Sequence, residues 1–277
     1  MAASKTQSAN SEVQTGTAPF RDELNLAYRL RRGGPQSIIF IHGLGASKNS
    51  FDPCFEMPAF EKFTLASVDL PGCGDSPSPE GFSYALKDQA LMLSSWSDDL
   101  GLNQCIIVAH SMGSVIGLYL AEALGAGLET FFSLEGHLGP EDTEFSRKIA
   151  FLSQEIFERL GLAVFKKWLR KNLQKNPSPG LGNYARNLEK ASPLALYLSS
   201  HSLVRESTEG RLKDRFLELP CRKGYFFGER SIKPSNAAFL EAHHVPCFIV
   251  PESDHFMMDD QPTVFFRMLL DALEDKG

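Results

Sequence analysis

Ser111 lies in the segment AHSMG, between a short apolar run at residues 105–109 and a small-residue run at 111–124. The first run is typical of a buried strand, and the second of a helix that packs closely on a sheet. A serine on the tight turn between such elements needs small residues two positions before and after it, and Ala109 and Gly113 meet this need. Because this turn exposes the hydroxyl, the pattern predicts a nucleophile for acyl transfer at Ser111 rather than a serine that only caps a helix.

A glycine-rich segment, HGLG at residues 42–45, directly follows a second apolar run at 37–41. An acyl-transfer reaction needs two fixed N–H donors for the oxyanion that develops on the substrate carbonyl. The glycines let the backbone N–H of Leu44 approach that of Met112, which opens the helix after the nucleophile. Leu44 and Met112 are therefore the predicted oxyanion hole, and an ordinary tight turn is the alternative for HG taken alone.

The elements that must position these residues follow from the pattern of the whole chain. Apolar runs of strand length alternate with longer helical patterns, which is typical of a parallel sheet covered by helices. Parallel strands deliver the residues that follow them to one edge of the sheet. We therefore expect the strands at 37–41, 105–109, 130–136 and 246–250 to share that edge, with a final helix at 263–273.

Four segments, in this order along the chain, resemble the α/β-hydrolase family. They are HGLGASKNSF at 42–51, VDLPGCGDS at 68–76, AHSMGS at 109–114 and SDHFMMDDQP at 253–262. The resemblance implies an α/β fold with a mostly parallel eight-stranded sheet, helices on both faces and an inserted helical cap after the sixth strand.

These boundaries give the predicted domain organisation. The α/β-hydrolase core is expected over residues 19–138 and 218–277, with the helical cap over residues 139–217. The polar stretch over residues 1–18 is predicted to be a disordered tail, because it has few apolar residues to bury.

The general base is predicted from the last of the four segments. The short apolar run at 246–250 is followed by a loop that carries His255, so His255 would emerge at the same sheet edge as Ser111. Histidines of the resembled family occupy this late loop. His110 is predicted to point away from the site. Surface or packing roles are predicted for the other candidates, His137, His201, His243 and His244.

The acid departs from the common pattern of the family. Most relatives carry an Asp after the strand that precedes the histidine strand, and the resemblance puts Ser231 in that position. A serine cannot hold the charge that stabilises a protonated imidazole, so another carboxylate should replace it. Glu135, at the end of the predicted strand 130–136, is the preferred acid, a placement that resembles one subgroup of haloalkane dehalogenases. Glu229 and Asp254 are the alternatives.

Composition excludes several classes of protein. A net charge of −6 and a pI of about 5.7 give no general attraction to nucleic-acid phosphates. No run approaches the roughly 20 apolar residues that span a bilayer, and the N-terminus lacks the apolar core of a secretory signal. The five cysteines have no metal-ligand spacing. We therefore expect a cytoplasmic protein without metal or cofactor, and leave monomer and dimer open.

Residues 139–217, the predicted cap, are rich in helical periodicity. Apolar residues recur at three- and four-residue spacing and predict amphipathic helices; they are Ile149, Leu152, Ile156, Leu160, Val164, Phe165, Trp168, Leu169 and Leu173. The basic residues of the run KKWLRK at 166–171 are predicted to form a solvated face opposite to them, with membrane docking as the alternative. Such a cap would line the pocket, so substrate choice should depend on it.

The predicted function is a serine hydrolase that cleaves a small carboxylic ester or a related acyl substrate through Ser111, His255 and Glu135. The resemblance also allows a carbon–carbon bond hydrolase or a perhydrolase on the same three residues. A receptor-like member that binds its ligand with little turnover is a further alternative, which Ser231 in the position of the acid would favour.

Overall fold

The computed structural model describes residues 13–20 and 24–275, and its centre is a single sheet. The strands are β1 Val13–Phe20, β2 Leu24–Arg31, β3 Ser37–Ile41, β4 Thr64–Val68, β5 Cys105–His110, β6 Leu128–Leu134, β7 Arg222–Gly228 and β8 Cys247–Val250. Their order in the sheet is β1-β2-β4-β3-β5-β6-β7-β8. The pairs β1–β2 and β2–β4 are antiparallel and the others are parallel, so the predicted fold class is confirmed.

Helices flank the sheet and fill the long connection between β6 and β7. The α-helices are α1 Asp52–Phe55, α2 Leu86–Asp99, α3 Met112–Leu124, α4 Glu144–Ala150, α5 Gln154–Ile156, α6 Leu162–Lys175, α7 Pro179–Lys190, α8 Pro193–Glu209, α9 Leu212–Glu218, α10 Pro234–Ala242, α11 Met257–Asp260 and α12 Pro262–Glu274. A π-helical turn, Phe157–Gly161, joins α5 to α6. We call residues 139–217, which hold α4 to α8 and all but the last residue of α9, the inserted segment.

The central strands are buried throughout and mainly apolar because helices cover both faces of the sheet. Ile39 and Ile41 of β3 pack in the core on one face, and Ile38 and Phe40 pack in the core on the other. Successive side chains of a strand point to opposite faces, so a strand buried on both sides has no polar positions to alternate with apolar ones. Every residue of β3, β4 and β5 is buried. This is why these strands stood out in the sequence as continuous apolar runs.

β1 corrects part of the predicted tail. The sequence predicted disorder over residues 1–18, which is wrong for residues 13–18, since they belong to β1. The strand pairs with β2 from Val13 opposite Arg31 to Phe20 opposite Leu24. An edge strand is held by its main-chain ladder and exposes many side chains, so it lacks the apolar run that marks a central strand. Residues 1–12 lie outside the described residues.

The five cysteines are free thiols. Burial raises the pKa of Cys73 to about 12 and that of Cys105 to about 11, so both stay protonated at neutral pH. Within the part of the chain that the structure describes, no helix has the length and apolar character needed to cross a bilayer.

A buried ion pair ties the loop after β3 to the loop after β4. Lys48 donates its backbone N–H and its ammonium to the Asp69 carboxylate, at 2.7 and 2.6 Å. The Asp69 side chain has no exposed surface, and only 8% of the Lys48 side chain is exposed. The Asp75 carboxylate, 54% exposed, also accepts from the Lys48 ammonium at 2.8 Å. The pair therefore fixes the chain that leaves the HGLG segment.

We expect Asp69→Asn to lower the free energy of unfolding by about 3–5 kcal/mol, because it leaves a buried ammonium without its main charge partner. Asp75→Asn is the matched control, since it removes the same charge from an exposed position and should cost about 1 kcal/mol or less. Urea unfolding of both variants at neutral pH measures the difference. Equal losses would contradict the assignment of the buried pair as the structural one.

Candidate active site

The predicted site residues meet at one edge of the sheet. The neighbouring parallel strands β3, β5, β6, β7 and β8 all end there. Leu44 follows β3, Ser111 follows β5, Glu135 follows β6 and His255 follows β8. These four residues line a single cavity. The topology therefore brings together residues that are far apart in the chain.

Ser111 occupies a strained turn between β5 and α3. Its φ of 53° and ψ of −121° are seldom adopted by residues other than glycine. The Ser111 N–H donates to the Leu134 carbonyl at 3.0 Å, and its carbonyl accepts from the Ser114 N–H at 3.0 Å. Gly113 lets α3 approach β3, since a Cβ there would lie 2.6 Å from the Ile41 carbonyl oxygen. The surrounding structure thus maintains the strain, as is common at functional sites.

Ala109, two residues before Ser111, packs against α3, which makes room for its methyl group. A Cβ at Gly117 would lie 3.1 Å from the Ala109 Cβ, which is closer than side chains normally pack. Because position 117 is glycine, the helix accommodates the extra methyl group beside it.

The HGLG segment lies directly against the nucleophile. A Cβ at Gly43 would be 3.1 Å from the Cβ of Ser111. Leu44 is buried beside the cavity, and Met112 is the first residue of α3. Backbone N–H groups in the first turn of a helix have no partner within that helix, so the Met112 N–H can serve a ligand oxygen. These positions are compatible with an oxyanion hole at Leu44 and Met112, which stays a prediction.

His42 holds this segment as a neutral histidine. Its Nδ1–H donates to the Gly43 carbonyl at 2.7 Å, and its Nε2 accepts the Leu70 N–H at 3.0 Å. Since a carbonyl only accepts and an amide only donates, the two partners fix the tautomer. Burial lowers the pKa of His42, in agreement with the neutral form.

The Glu135 carboxylate contacts the His255 ring. Its Oε2 accepts from Nδ1 at 2.8 Å, and the Glu135 side chain is 7% exposed, against 40% for His255. The other oxygen, Oε1, accepts the Gly228 N–H at 2.8 Å and the Ser231 hydroxyl. Ser231, in the position where most relatives carry an Asp, therefore supports the carboxylate that takes over the contact with the histidine.

The two alternative acids, Glu229 and Asp254, have other surroundings. Glu229 accepts the Glu252 N–H at 2.9 Å. Asp254 is exposed, and its own N–H donates to Asp260 at 3.1 Å. Among the described residues, neither of these carboxylates forms a hydrogen bond with His255, so the geometry favours Glu135.

His110 corrects a prediction, because it contacts the residue predicted as the base. Its ring lies 4.6 Å from the His255 ring, centroid to centroid. Its Nε2–H donates to the His255 backbone carbonyl at 2.8 Å. Burial, and after it the nearby His255, lower the pKa of His110 well below its usual range, so the ring is neutral. The only sequence signal for this role was its position next to Ser111.

Ser111 and His255 face one cavity but are not hydrogen bonded to each other in the chain as described. Contacts between a nucleophile and its base are often long before the substrate binds and tighten in the complex. The structure thus places the Glu135–His255 pair and Ser111 at the same cavity.

The cavity has a volume of about 420 Å³, within the range of small-molecule sites. Its apolar wall comes mainly from the inserted segment, through Phe145, Phe165, Trp168, Leu169, Leu181 and Leu203. Its polar lining includes Lys233 and Asn236, which both donate to the Asp142 carboxylate at 2.9 Å. His137, predicted as a surface or packing residue, also lines the cavity. No group of three His, Cys, Asp or Glu side chains within the described ranges is arranged to hold a metal ion.

Asp260 joins the histidine loop to the inserted segment. One carboxylate oxygen accepts the Ser178 hydroxyl and the Gly180 N–H, both at 2.8 Å, at the start of α7. The other accepts the Asp254 N–H at 3.1 Å. The position of His255 is therefore linked to that of α7.

The chain between Glu135 and the inserted segment is also fixed by side chains. The Tyr225 hydroxyl donates to the Gly136 carbonyl at 2.7 Å, and the His137 N–H donates to the Ser114 hydroxyl at 3.1 Å. The Asp142 carboxylate accepts the N–H groups of the two residues after His137, at 2.8 and 3.1 Å. The backbone next to Glu135 is thus held on both sides.

Comparison with known proteins agrees with this fold. The model of the alpha/beta hydrolase family matches residues 38–268, most of the chain. The protein therefore belongs to the alpha/beta hydrolase family.

Individual relatives are similar over parts of the chain or in fold alone. The dihydrolipoyllysine-residue acetyltransferase component of the acetoin cleaving system of Cupriavidus necator is 31% identical over 101 residues, 36% of this chain and 26% of that protein. The sn-1-specific diacylglycerol lipase ABHD11 of Mus musculus is 35% identical over 101 residues, 35% of this chain and 32% of that protein. The chain thus spans a third or less of these relatives. A thermophilic esterase from Thermogutta terrifontis shares the fold, with a TM-score of 0.75 and 18% identity over 95% of this chain and 98% of that one.

We expect the stability of the protein to fall as the pH is lowered from about 6.5 to about 4, and His137 to contribute. Burial lowers the pKa of His137 to about 4, whereas an unfolded histidine takes up its proton near pH 6.5. Between these values the unfolded state binds more protons, so each pH unit lost removes up to about 1.4 kcal/mol through this residue.

Urea unfolding of the wild type and of His137→Gln across this pH range measures the contribution. The variant should show a shallower pH dependence, and His201→Gln, which changes an exposed histidine, should not. Parallel curves for the wild type and His137→Gln would refute the assignment.

Proposed function

We propose that the protein is a serine hydrolase that cleaves carboxylic esters through an acyl-enzyme, with Ser111 as nucleophile, His255 as base and Glu135 as acid. The observation that carries the proposal is the 2.8 Å contact between Glu135 and His255, in one cavity with a serine on a strained strand-to-helix turn. Strained backbone and a buried carboxylate beside a histidine are features that enzymes maintain for catalysis.

In the first half-reaction the Ser111 oxygen attacks the ester carbonyl, and the hydroxyl proton passes to Nε2 of His255. The Glu135 carboxylate stabilises the imidazolium that forms and holds the ring in the required tautomer. The backbone N–H groups of Leu44 and Met112 donate to the oxyanion. When the tetrahedral intermediate collapses, the carbon–oxygen ester bond breaks, and His255 returns the proton to the leaving alcohol.

In the second half-reaction water takes the place of the alcohol. His255 accepts a proton from the water as the oxygen attacks the acyl-enzyme carbonyl, and the same two N–H groups receive the charge. Collapse releases the carboxylic acid, and the proton on His255 restores the Ser111 hydroxyl. Each step uses only the residues of the site and water.

The substrate is a small ester with an apolar acyl or alkyl part. The apolar wall that the inserted segment contributes suits such a group, and the cavity volume of about 420 Å³ suits a small molecule. The inserted segment thus acts as a cap that selects the substrate. The names of two proteins that the chain resembles, a lipase and an esterase, agree with an ester as substrate.

The receptor-like alternative depended on the absence of an acid where relatives carry one. Glu135 supplies a carboxylate at His255, and Ser231 donates a hydrogen bond to it. This arrangement supports turnover over ligand binding alone. Carbon–carbon hydrolysis and perhydrolysis require the same residues, and no contact in the site favours either over ester cleavage.

We expect a fluorophosphonate probe to label the protein at Ser111, because an activated serine beside a base attacks phosphorus as it attacks an ester carbonyl. Ser111→Ala should abolish labelling, whereas Ser95→Ala, at an exposed position of α2, should leave it unchanged. Mass spectrometry of the labelled peptide identifies the modified serine. Release of nitrophenol from nitrophenyl esters of graded chain length measures ester hydrolysis. A folded wild-type protein that is neither labelled nor active would refute the proposal.

We expect Glu135→Gln to lower kcat for a nitrophenyl ester by about three to four orders of magnitude, because an amide leaves the imidazolium without its charge partner. Glu229 lies 94 positions after Glu135 in the chain, in the loop after β7. Glu229→Gln removes the same kind of carboxylate and should change kcat little. Circular dichroism establishes that both variants are folded. The reverse ranking of the two variants would assign the acid to Glu229.

A further inference from the structure

The inserted segment exposes a row of large apolar side chains. Ile156, Leu160, Val164 and Trp168 recur every fourth residue from α5 to α6, and each is between 51% and 65% exposed. We call these four residues the apolar stripe. A row of exposed large apolar side chains on a folded protein commonly marks an interaction site.

The apolar stripe is not the side of these helices that packs on the rest of the protein. Phe157, Leu162 and Leu169 form that side, and each is at most 7% exposed. The apolar residues that the sequence assigned to amphipathic helices therefore divide between two faces. One covers the cavity and the core, and the other faces solvent.

Positive charge borders the half of the apolar stripe that lies on α6, although the whole chain has a net charge of −6. The other half lies near Glu155 and Glu158, and Arg159 pairs with Glu155 at 2.9 Å. The helix α6 contains five basic residues and no acidic one, namely Lys166, Lys167, Arg170, Lys171 and Lys175. Lys166 and Arg170 are paired with Glu189, at 3.1 and 2.7 Å. The basic character of α6 is thus local, in an otherwise acidic protein.

Two of these lysines border the apolar stripe. Lys167 and Lys171 come three residues after Val164 and Trp168, and residues at this spacing are neighbours on one face of a helix. The sequence predicted that the lysines lie opposite the apolar residues, but Lys167 and Lys171 lie beside the exposed ones. Both are exposed, and neither forms an ion pair within the described residues. Their charges are free to meet an anionic partner.

The apolar stripe is continuous with the candidate active site. Trp168, its last member, is 57% exposed and also lines the cavity, together with its neighbour Leu169. A partner that covered the stripe would therefore lie at the wall of the cavity.

We propose that the apolar stripe, with Lys167 and Lys171, docks on an anionic lipid surface and brings the cavity to that surface. An amphipathic helix inserts its apolar side chains at the boundary of headgroups and acyl chains, while flanking lysines extend to the anionic headgroups. A second copy of the chain is a poorer occupant. A two-fold contact through this face would bring the lysines of both copies close together, and like charges oppose such a contact.

The docking is independent of the proposed hydrolysis, so its test uses the full chain with Ser111→Ala and measures binding alone. Phosphatidylcholine vesicles, with and without phosphatidylglycerol, are the probes. The chain has two tryptophans, and Trp96 is 2% exposed, so Trp168 should report the contact. We expect cosedimentation and a blue shift of tryptophan emission with the anionic vesicles, and both should weaken as salt screens the charges.

Two pairs of substitutions test the surface itself. One double variant combines Lys167→Ala and Lys171→Ala, and the other combines Leu160→Asp and Val164→Asp. Each should lower partitioning to anionic vesicles roughly tenfold or more. The matched control is Lys87→Ala with Leu91→Asp on α2, where an exposed lysine and a 52% exposed leucine are likewise four residues apart. This control should bind as the parent does.

Circular dichroism checks that each variant is folded. The same substitutions made in the chain that keeps Ser111 should leave its activity on a water-soluble ester unchanged. Three results would overturn the proposal. The first is equal binding of the parent to neutral and anionic vesicles. The second is a loss of vesicle binding in the control pair as large as in the stripe variants. The third is a concentration-dependent dimer that the stripe substitutions abolish, while the parent binds no vesicles.

Discussion

The hydrogen bond between the Glu135 carboxylate and the His255 ring determines how the rest of the site is used. A carboxylate only accepts, so the contact assigns the proton to Nδ1 and leaves Nε2 as the nitrogen that can receive one. The bond spans β7, because Glu135 follows β6 and His255 follows β8. The end of β7 and the loop after it supply two donors to the second oxygen of the carboxylate, the Gly228 N–H and the Ser231 hydroxyl. The strand between Glu135 and His255 therefore orients the Glu135 carboxylate.

Neutral buried histidines support the elements on either side of this bond. His42 connects the HGLG segment to the loop after β4, and His110 holds the backbone of His255. Burial lowers the pKa of both, so each ring keeps one donor and one acceptor at neutral pH. The Lys48–Asp69 pair secures the same two loops with charge. The positions of Ser111 and His255 thus depend on side chains that do not themselves enter the proposed chemistry.

The sequence predicted those parts of the molecule whose physical cause is local. β3 and β5 are buried on both faces and appear as apolar runs, and the small residues around Ser111 follow from the close approach of α3. β1 was missed because its stability comes from pairing with β2, which its own residues do not reveal. The role of His110 depends on a loop 145 residues away. Helical periodicity in the inserted segment identified apolar residues but could not tell which face would be covered, because that depends on tertiary packing.

Glu135 directly follows β6, the strand that leads into the inserted segment, and the hydrogen bonds of Gly136, His137 and Asp142 fix the chain that comes after it. This arrangement divides the chain into two parts. The residues from Glu135 to Asp142 must be inherited together, and the rest of the inserted segment can diverge. An exchange of the segment between family members preserves the site only if the crossover lies beyond Asp142, since an earlier junction would separate Glu135 from the contacts that hold its backbone. Insertions and deletions in evolution should then accumulate from α4 onward, while the turn before it keeps its length.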